Sequence, residues 1–530
     1  MSGLLRSNLV VAAGTALSRV TGLLRTFVFV YVIGQTALAD AYLLANETPN
    51  IVYDLLLGGV LSATLVPLFT QLMQSDADGD GERDTNVVIT VAVTLMAALT
   101  AVAMLAAPLI FRLYSLNLSD EIDADLFRHV GTTLTRIFLL QILFYGLTGV
   151  ANAYLNSRRR FFAAAWSPIL PNLIIVATLL SLPGAGDRDF ELADVVSDDR
   201  VRLTLGLGAT LGIGAMAAVV VPAMFAAGLR FRPQFQLRHP AVRQLLVLSG
   251  WTIGFVVANQ VALLVVRNLA LGRGEGIAAS YFSAFTWFVL PHGLLAVSIA
   301  TTFQPELARA AKARDRATFT RYSSLGVRTI ALLTFPAAAG LIVLAEPIVG
   351  LMQRGQFDPT DTRNTARALV GLAVGLVGFS VYLFALRGFY AHRDTRTPFV
   401  LNVFENLLNI VLALVFVRWW GVLGLGLAYG AAYLVAAVWA LKVLSYKVPG
   451  FPLREIASSG WRMLLAAVLM VEAMWFVTHR VAGSSGVDGL AQIVVGGVVG
   501  LVVYAAVLLV LQAPEIDALK TLVRRRVAGS

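Results

Sequence analysis

Apolar runs long enough to cross a lipid bilayer recur from one end of this 530-residue chain to the other. Each crossing takes about 20 helical residues. Inside the hydrocarbon layer every backbone amide and carbonyl must find its partner within the protein, so only helices and closed barrels span it. A barrel would read as short segments of alternating hydrophobicity, whereas these runs are continuous. The chain is 58% hydrophobic and 14% charged, outside the range of soluble proteins of this size. The expected fold is an all-α polytopic membrane protein of about 14 transmembrane helices. The first run, 9–33, is too long for the apolar region of a signal peptide, lacks a small-residue cleavage site and contains Arg19 and Arg25. It is read as a retained first helix.

A net charge of +10 could indicate a nucleic-acid partner, but the basic residues sit in short loops between apolar runs. Clusters at Arg158–Arg160, at Arg230, Arg232, Arg238 and Arg243, and at Arg309, Lys312, Arg314 and Arg316 fall in alternate loops. So do Arg393 and Arg396, Lys442, Lys447 and Arg454, and the tail residues Lys520 and Arg524–Arg526. Intervening loops such as 187–200 are acidic or mixed. The positive-inside rule then makes both termini cytoplasmic. The loop 75–84 is acidic where the pattern expects a cytoplasmic segment, but acidic residues weigh little in that rule. No nucleic-acid partner is expected, and the tail is expected to touch anionic headgroups. There is no cysteine, so disulfides, thiol catalysis and thiolate metal sites are excluded. The five histidines offer no metal-ligand pair at helical spacing.

Compared with itself, the chain shows an ordered match at a shift of about 237 residues. Ser62-Ala-Thr-Leu-Val-Pro67 resembles Ala300-Thr-Thr-Phe-Gln-Pro305, and the Pro108 stretch resembles the Pro347 stretch. Asn152-Ala-Tyr154 parallels Gly388-Phe-Tyr390, each ahead of a basic loop, and Asn172 corresponds to Asn409. The shift barely changes across these landmarks, which favours duplication over chance. Two six-helix lobes of equal orientation are expected, 1–229 and 230–448, related by an axis along the membrane normal. Two extra helices fall in 449–513, and 514–530 is a basic tail. Duplicated halves around a cavity are the architecture of alternating access, so transport is the leading functional class.

On the first helix Thr15, Ser18, Arg19, Gly22, Arg25 and Thr26 recur at the spacing of one helix face. An arginine inside a bilayer costs several kcal/mol unless it meets water, a counter-ion or a ligand. The second helix places Asn46, Glu47, Asn50 and Asp54 on one face, as ion-pair partners, charge balance or a coupling-cation site. The seventh carries Thr252, Asn259, Gln260 and Arg267. Guanidinium groups stay charged and bind phosphate oxygens in pairs, so converging arginines suit a phosphate or pyrophosphate. Ser18, Arg19, Arg25, Asn50, Asn259, Gln260 and Arg267 are the candidate substrate residues. Glu405, with Asn402, Asn406 and Asn409, is a further candidate for ion binding or charge balance. Pro49, Gly58, Gly59, Pro291 and Gly293 are candidate hinges, and His292 is a candidate for proton coupling or a plain hydrogen bond. The strings Gly206-Leu-Gly208 and Gly421-Val-Leu-Gly424-Leu-Gly426 have no P-loop lysine or flanking strands and read as helix packing. No nucleophile stands with a base at a recognisable spacing, so no enzyme is expected. With no ATPase motif, no cofactor is expected either, and energy is expected from the membrane potential, a monovalent ion or the substrate gradient.

The chain resembles the lipid II flippase family, MurJ or MviN, of the multidrug/oligosaccharidyl-lipid/polysaccharide exporter superfamily. The residues that carry the resemblance are Ser18-Arg19-Val20 with Gly22 and Arg25, then Asp40-Ala41, Pro49-Asn50 and Val66-Pro67. Pro291-His-Gly293, Gln353-Arg-Gly355 with Phe357, and Gly388-Phe-Tyr390 with Asp394, Thr397 and Pro398 follow. The resemblance implies a fourteen-helix flippase in the bacterial cytoplasmic membrane, working in peptidoglycan biosynthesis. It would move undecaprenyl-pyrophosphate-linked precursor outward by alternating access, with cavity arginines on the pyrophosphate and the last two helices forming a groove for the lipid tail. Implied partners are the lipid-linked glycan, membrane lipids and cell-wall synthesis enzymes. The chain departs from the family's pattern at Glu47, Tyr53, Asp54, Phe285, Thr286 and Val289. By that resemblance the second-half cation is missing, unless Arg267 supplies it from the seventh helix. Competing readings are a related exporter of another polyprenyl-linked glycan or of organic cations, and a non-transporting cell-wall scaffold.

Overall fold

The computed structural model describes residues 2–53, 61–74, 80–240, 250–480 and 483–515. Among them every regular element is a helix. In chain order these begin with α1 (Ser2–Ile33), α2 (Ala37–Tyr53), α3 (Leu61–Gln74), α4 (Asp80–Tyr114), α5 (Ala124–Leu139) and α6 (Gln141–Ser157). There follow α7 (Phe162–Trp166), α8 (Ile169–Leu180), α9 (Leu192–Ser197), α10 (Asp199–Ala226), α11 (Gly250–Leu271) and α12 (Ile277–Pro291). A π turn, His292–Ala296, leads into α13 (Val297–Lys312). The rest are α14 (Arg316–Val343), α15 (Ala345–Gly350), α16 (Pro359–Val374), α17 (Leu376–Ala391), α18 (Arg396–Lys447), α19 (Leu453–Thr478) and α20 (Gly486–Val510).

Eleven of these stretches are long and apolar enough to cross a membrane, or twelve when the pair α16 and α17, bent by 48°, counts as one span. The expected fourteen is not established among the described residues. One reason is that α2 and α3 flank residues outside the description. Another is that α18 runs for 52 residues across a kink at Gly421, whose φ of 54° and ψ of −130° are not helical. Hydroxyls along the spans satisfy themselves on carbonyls one turn back, as Thr100 does on Met96 at 2.8 Å and Thr334 on Ile330 at 2.8 Å. Such hydroxyls leave no orphaned donor, whereas those of Thr135, Thr148 and Thr365 are buried without a hydrogen-bond partner. Large apolar residues such as Leu105, Trp419, Val438 and Val510 remain exposed along the spans, as expected of surfaces whose solvent is lipid.

The chain divides into two compact units, 1–279 with 354–357, and 280–353 with 358–530. The lobe boundary expected at 229/230 rests on the sequence match alone; packing groups α11 with the first unit. In that unit Leu65, Phe69, Ile142, Leu155 and Val220 share a buried core. Core residues of the second unit include Met463, Met470, Met474, Tyr504 and Leu508. Its helices approach closely at glycines: a Cβ on Gly375 would lie 2.2 Å from the Cα of Gly430, and one on Gly426 would lie 2.6 Å from the Ala368 carbonyl. Gly206 and Gly208 are equally tight against Ile137 and Thr178 in the first unit. Gly206, Gly208 and Gly426 thus serve helix packing, whereas Gly421 meets nothing within 4 Å and marks the kink in α18.

Candidate functional site

The first unit gathers all three candidate arginines. On α1, Arg19 is exposed and Arg25 half-buried. Among the described residues neither has a carboxylate within ion-pair distance. Part of the polar stripe expected on this helix is covered. The Asn172 amide on α8 donates to the Ser18 carbonyl and to the Thr21 hydroxyl, both at 3.2 Å. A Cβ on Gly22 would lie 3.6 Å from the same nitrogen. Thr15 and Thr26 bond their own helix. Ser18 and Gly22 therefore face a neighbouring helix at least in part, and among the described residues Arg19 and Arg25 have no partner of opposite charge.

Among the described residues, no carboxylate of α2 forms an ion pair with them. Glu47 pairs instead with Arg267 of α11, at 3.8 Å, with side-chain exposures of 28% and 11%. The Arg267 guanidinium also lies over the Tyr114 ring at 5.9 Å, and its Nη1 is buried without a hydrogen-bond partner. A buried guanidinium nitrogen with nothing to donate to is costly. Gln260 of the same helix carries a second orphan, its Oε1. Asn259 and Asn50 are half-buried, Pro49 is buried in an unbroken α2, and Asn46 accepts from the Gln141 amide at 3.2 Å. Asp54, Gly58 and Gly59 lie outside the described residues, as do the side chains of Tyr53 and Thr252.

Motif reading on the sequence passed over a pair of reciprocal helix caps. Asp40, fully buried in the first turn of α2, accepts the amides of Gly276 at 2.9 Å and Ala279 at 2.6 Å at the start of α12. Glu275 returns the bond, accepting the Ala37 amide at the start of α2 at 2.8 Å. Carboxylates at helix N-termini satisfy free amides and oppose the positive end of the dipole. Gly276 has a φ of 70°, and a Cβ there would lie 1.8 Å from the Gln35 carbonyl. Nearby, the Gln356 amide donates to the Tyr31 carbonyl at 3.0 Å, and its side chain to the Gly186 carbonyl at 3.3 Å. The segment 354–357 is thereby fastened to the end of α1. The signals in the sequence were the glycines around Glu275 and the Gln353-Arg-Gly355 motif, but neither names its partner.

The second unit holds the other candidates. Glu405 on α18 is buried, and neither carboxyl oxygen makes a hydrogen bond of normal geometry. Asn402 and Asn409 are buried beside it in sequence, each with its side-chain oxygen unpartnered, and Asn406 bonds the Asn402 carbonyl at 2.9 Å. His292 is a satisfied histidine: Nδ1 meets the Ser380 hydroxyl at 3.0 Å, and the ring packs on Phe379. Pro291 and Gly293 flank the entry to the π turn between α12 and α13, a break of the kind at which helices bend. Among the described residues no cluster of His, Asp or Glu could hold a metal ion.

The family model described as lipid II flippase MurJ matches residues 29–496. The chain is 27% identical over 508 residues to the probable lipid II flippase MurJ of Haemophilus influenzae, covering 93% of this chain and 96% of that relative. It is 30% identical over 406 residues to the probable lipid II flippase MurJ of Rhizobium meliloti, covering 76% and 74%. Among solved structures, a lipid II flippase MurJ in an inward closed conformation superposes with a TM-score of 0.75 at 23% identity, covering 95% of this chain and 99% of that one. An inward-facing multidrug resistance MATE family transporter follows the same fold, with a TM-score of 0.65 at 13% identity, covering 82% and 95%.

Proposed function

The chain belongs to the lipid II flippase MurJ family, and on that premise we propose that it moves undecaprenyl-pyrophosphate-linked peptidoglycan precursor from the cytoplasmic to the outer leaflet by alternating access. Membership places it among multi-pass inner-membrane transporters and not among enzymes. In this reading Arg19, Arg25 and Arg267 bind the pyrophosphate, whose oxygens accept paired guanidinium hydrogen bonds. Ser18, Asn50, Asn259 and Gln260 line the same site. Glu47 balances Arg267 between substrates. Both termini face the cytoplasm, and α19 and α20 take the lipid tail. The membrane potential or a monovalent ion supplies the energy, with Glu405 as the candidate ion ligand, and cell-wall synthesis enzymes are the expected neighbours.

The observation that carries the reading is the state of the cations. Arg19 and Arg25 have no described carboxylate, and Arg267 keeps a buried Nη1 without an acceptor. Charges left unmatched in a bilayer favour an anionic ligand over a purely structural role. The test is reconstitution of the purified chain in vesicles with a fluorescent lipid-linked precursor. Protein-dependent appearance of the precursor in the opposite leaflet is expected.

A second reading, export of organic cations, is favoured by the likeness in fold to a multidrug transporter and by Glu47. The pairing of Glu47 with Arg267 weakens it, because that carboxylate already has a counter-charge. Cation-dependent drug efflux from the same vesicles, without lipid movement, would favour it.

A further inference from the structure

The turn after α6 carries three arginines in succession, Arg158, Arg159 and Arg160, all exposed. Among the described residues none has a carboxylate within ion-pair distance. Arg159 has a φ of 56°. This left-handed position at a helix end is usually filled by glycine, because a side chain there is strained. The Arg160 amide closes the helix on the Leu155 carbonyl at 2.9 Å. Its guanidinium reaches the Ala226 carbonyl at the end of α10, 3.2 Å away, and Arg158 lies over the Tyr154 ring at 5.5 Å.

Beside these arginines is a pocket of about 450 Å³. Val10, Leu155, Phe161, Phe162 and Ala223 wall it, and Arg159 and Arg160 stand on its rim. Phe162 is 64% exposed and stacks on Trp166, whose indole is fixed to the Val10 carbonyl at 3.2 Å. The pocket lies where α6 and α10, each part of an apolar membrane-crossing stretch, both end. By the charge pattern of the loops this is the cytoplasmic interface.

Walls and rim select different halves of one ligand. A soluble phosphate has no use for the exposed Phe162 ring, and a neutral lipid has none for guanidinium groups without a described carboxylate. An amphiphile with an anionic head and an apolar chain satisfies both, and basic pockets between helix ends on this side of a membrane suit such headgroups. We propose that this pocket holds an anionic bilayer phospholipid of the phosphatidylglycerol class. Its phosphodiester sits on Arg159 and Arg160, and the first part of one acyl chain lies against Phe161 and Phe162. The rest of the lipid stays in the surrounding leaflet. The site is separate from the arginines of α1 and does not depend on their role.

Native mass spectrometry of the full-length purified protein tests this, with dioleoylphosphatidylglycerol, dioleoylphosphatidylcholine and undecaprenyl pyrophosphate as probes. The wild type is expected to retain phosphatidylglycerol about tenfold more tightly than the Arg159→Gln/Arg160→Gln variant, as loss of charge-assisted phosphate contacts requires. Phosphatidylcholine should bind both weakly and equally. Arg159→Gly separates binding from folding, because it removes the charge while suiting the left-handed backbone. It should lose phosphatidylglycerol with its unfolding temperature undiminished. Equal retention of phosphatidylglycerol by all three proteins would overturn the proposal, as would tight binding of phosphatidylcholine. Displacement of phosphatidylglycerol from the wild type by lower concentrations of undecaprenyl pyrophosphate would also overturn it, reassigning the pocket to pyrophosphate lipids.

Discussion

Asp40 shows how much one side chain can carry inside a bilayer-spanning bundle. It is fully buried, and its two oxygens each take an amide at the start of α12. Removing it would leave those amides buried and unpaired, at a cost of about 1–3 kcal/mol. Asp40→Ala is therefore expected to lower the unfolding temperature of the detergent-purified protein clearly. Asp40→Asn, which keeps one acceptor, should lower it less. The arginines are a different case, because their charges lack described partners and not the reverse. Their spacing on α1 was legible in the sequence, since i, i+3, i+4 and i+7 mark one face of any helix. What was not legible is that Asn172, over 150 positions away, takes the Ser18 carbonyl, or that Glu47 is spent on Arg267. Periodicity fixes where a residue points on its own helix and says nothing about which helix arrives there.

At the scale of elements, two devices hold α18 in place. Along its second half it meets α16 and α17 at glycines, with Gly375 and Gly430 nearly backbone to backbone. A methyl group at Gly375 would sit 2.2 Å from a main-chain carbon that cannot move aside as a side chain would. Gly375→Ala is expected to cost about 1–3 kcal/mol through overpacking, read as reduced yield of folded protein and a lower unfolding temperature. Gly460→Ala, where a Cβ meets nothing within 4 Å, should be tolerated. The ends of α18 are tied together outside the spans. Asp394 accepts the Thr397 amide at 3.0 Å and is ion-paired with Lys447. Burial pushes the Asp394 carboxyl up, but the hydrogen bonds from Lys447 and Thr397 and the lysine charge hold it at about 2. Because that is below the ordinary value of 3.8, its stabilisation is fully present above about pH 4 and is lost as the pH falls through 2. Lys447 is half exposed, so the effect is about 1 kcal/mol at most. Between pH 5 and pH 2, Lys447→Met is expected to show a shallower fall in unfolding temperature than the wild type.

At the scale of the molecule, composition and hydropathy sufficed for an all-helical membrane protein, because a bilayer leaves the backbone so few alternatives. The number of spans was harder to read, since hydropathy cannot see that α18 turns at Gly421 or that α16 and α17 bend as a pair. The internal repeat likewise gave no sign that α11, and with it Arg267, packs in the first compact unit. That grouping matters for the proposed mechanism, which requires Arg19, Arg25 and Arg267, all within that unit, to bind one pyrophosphate. The most direct test is complementation of flippase-depleted bacterial cells by the wild type and by the Arg19→Ala and Arg25→Ala forms at matched membrane levels, with the lipid-linked precursor quantified in each leaflet. On the proposed role, each substitution would remove a guanidinium–phosphate contact of about 1.5–3 kcal/mol, about a 10- to 100-fold loss of binding. The account predicts that the wild type restores growth and outward movement, while either variant leaves precursor accumulated on the cytoplasmic side. Normal growth and export in both variants would contradict it.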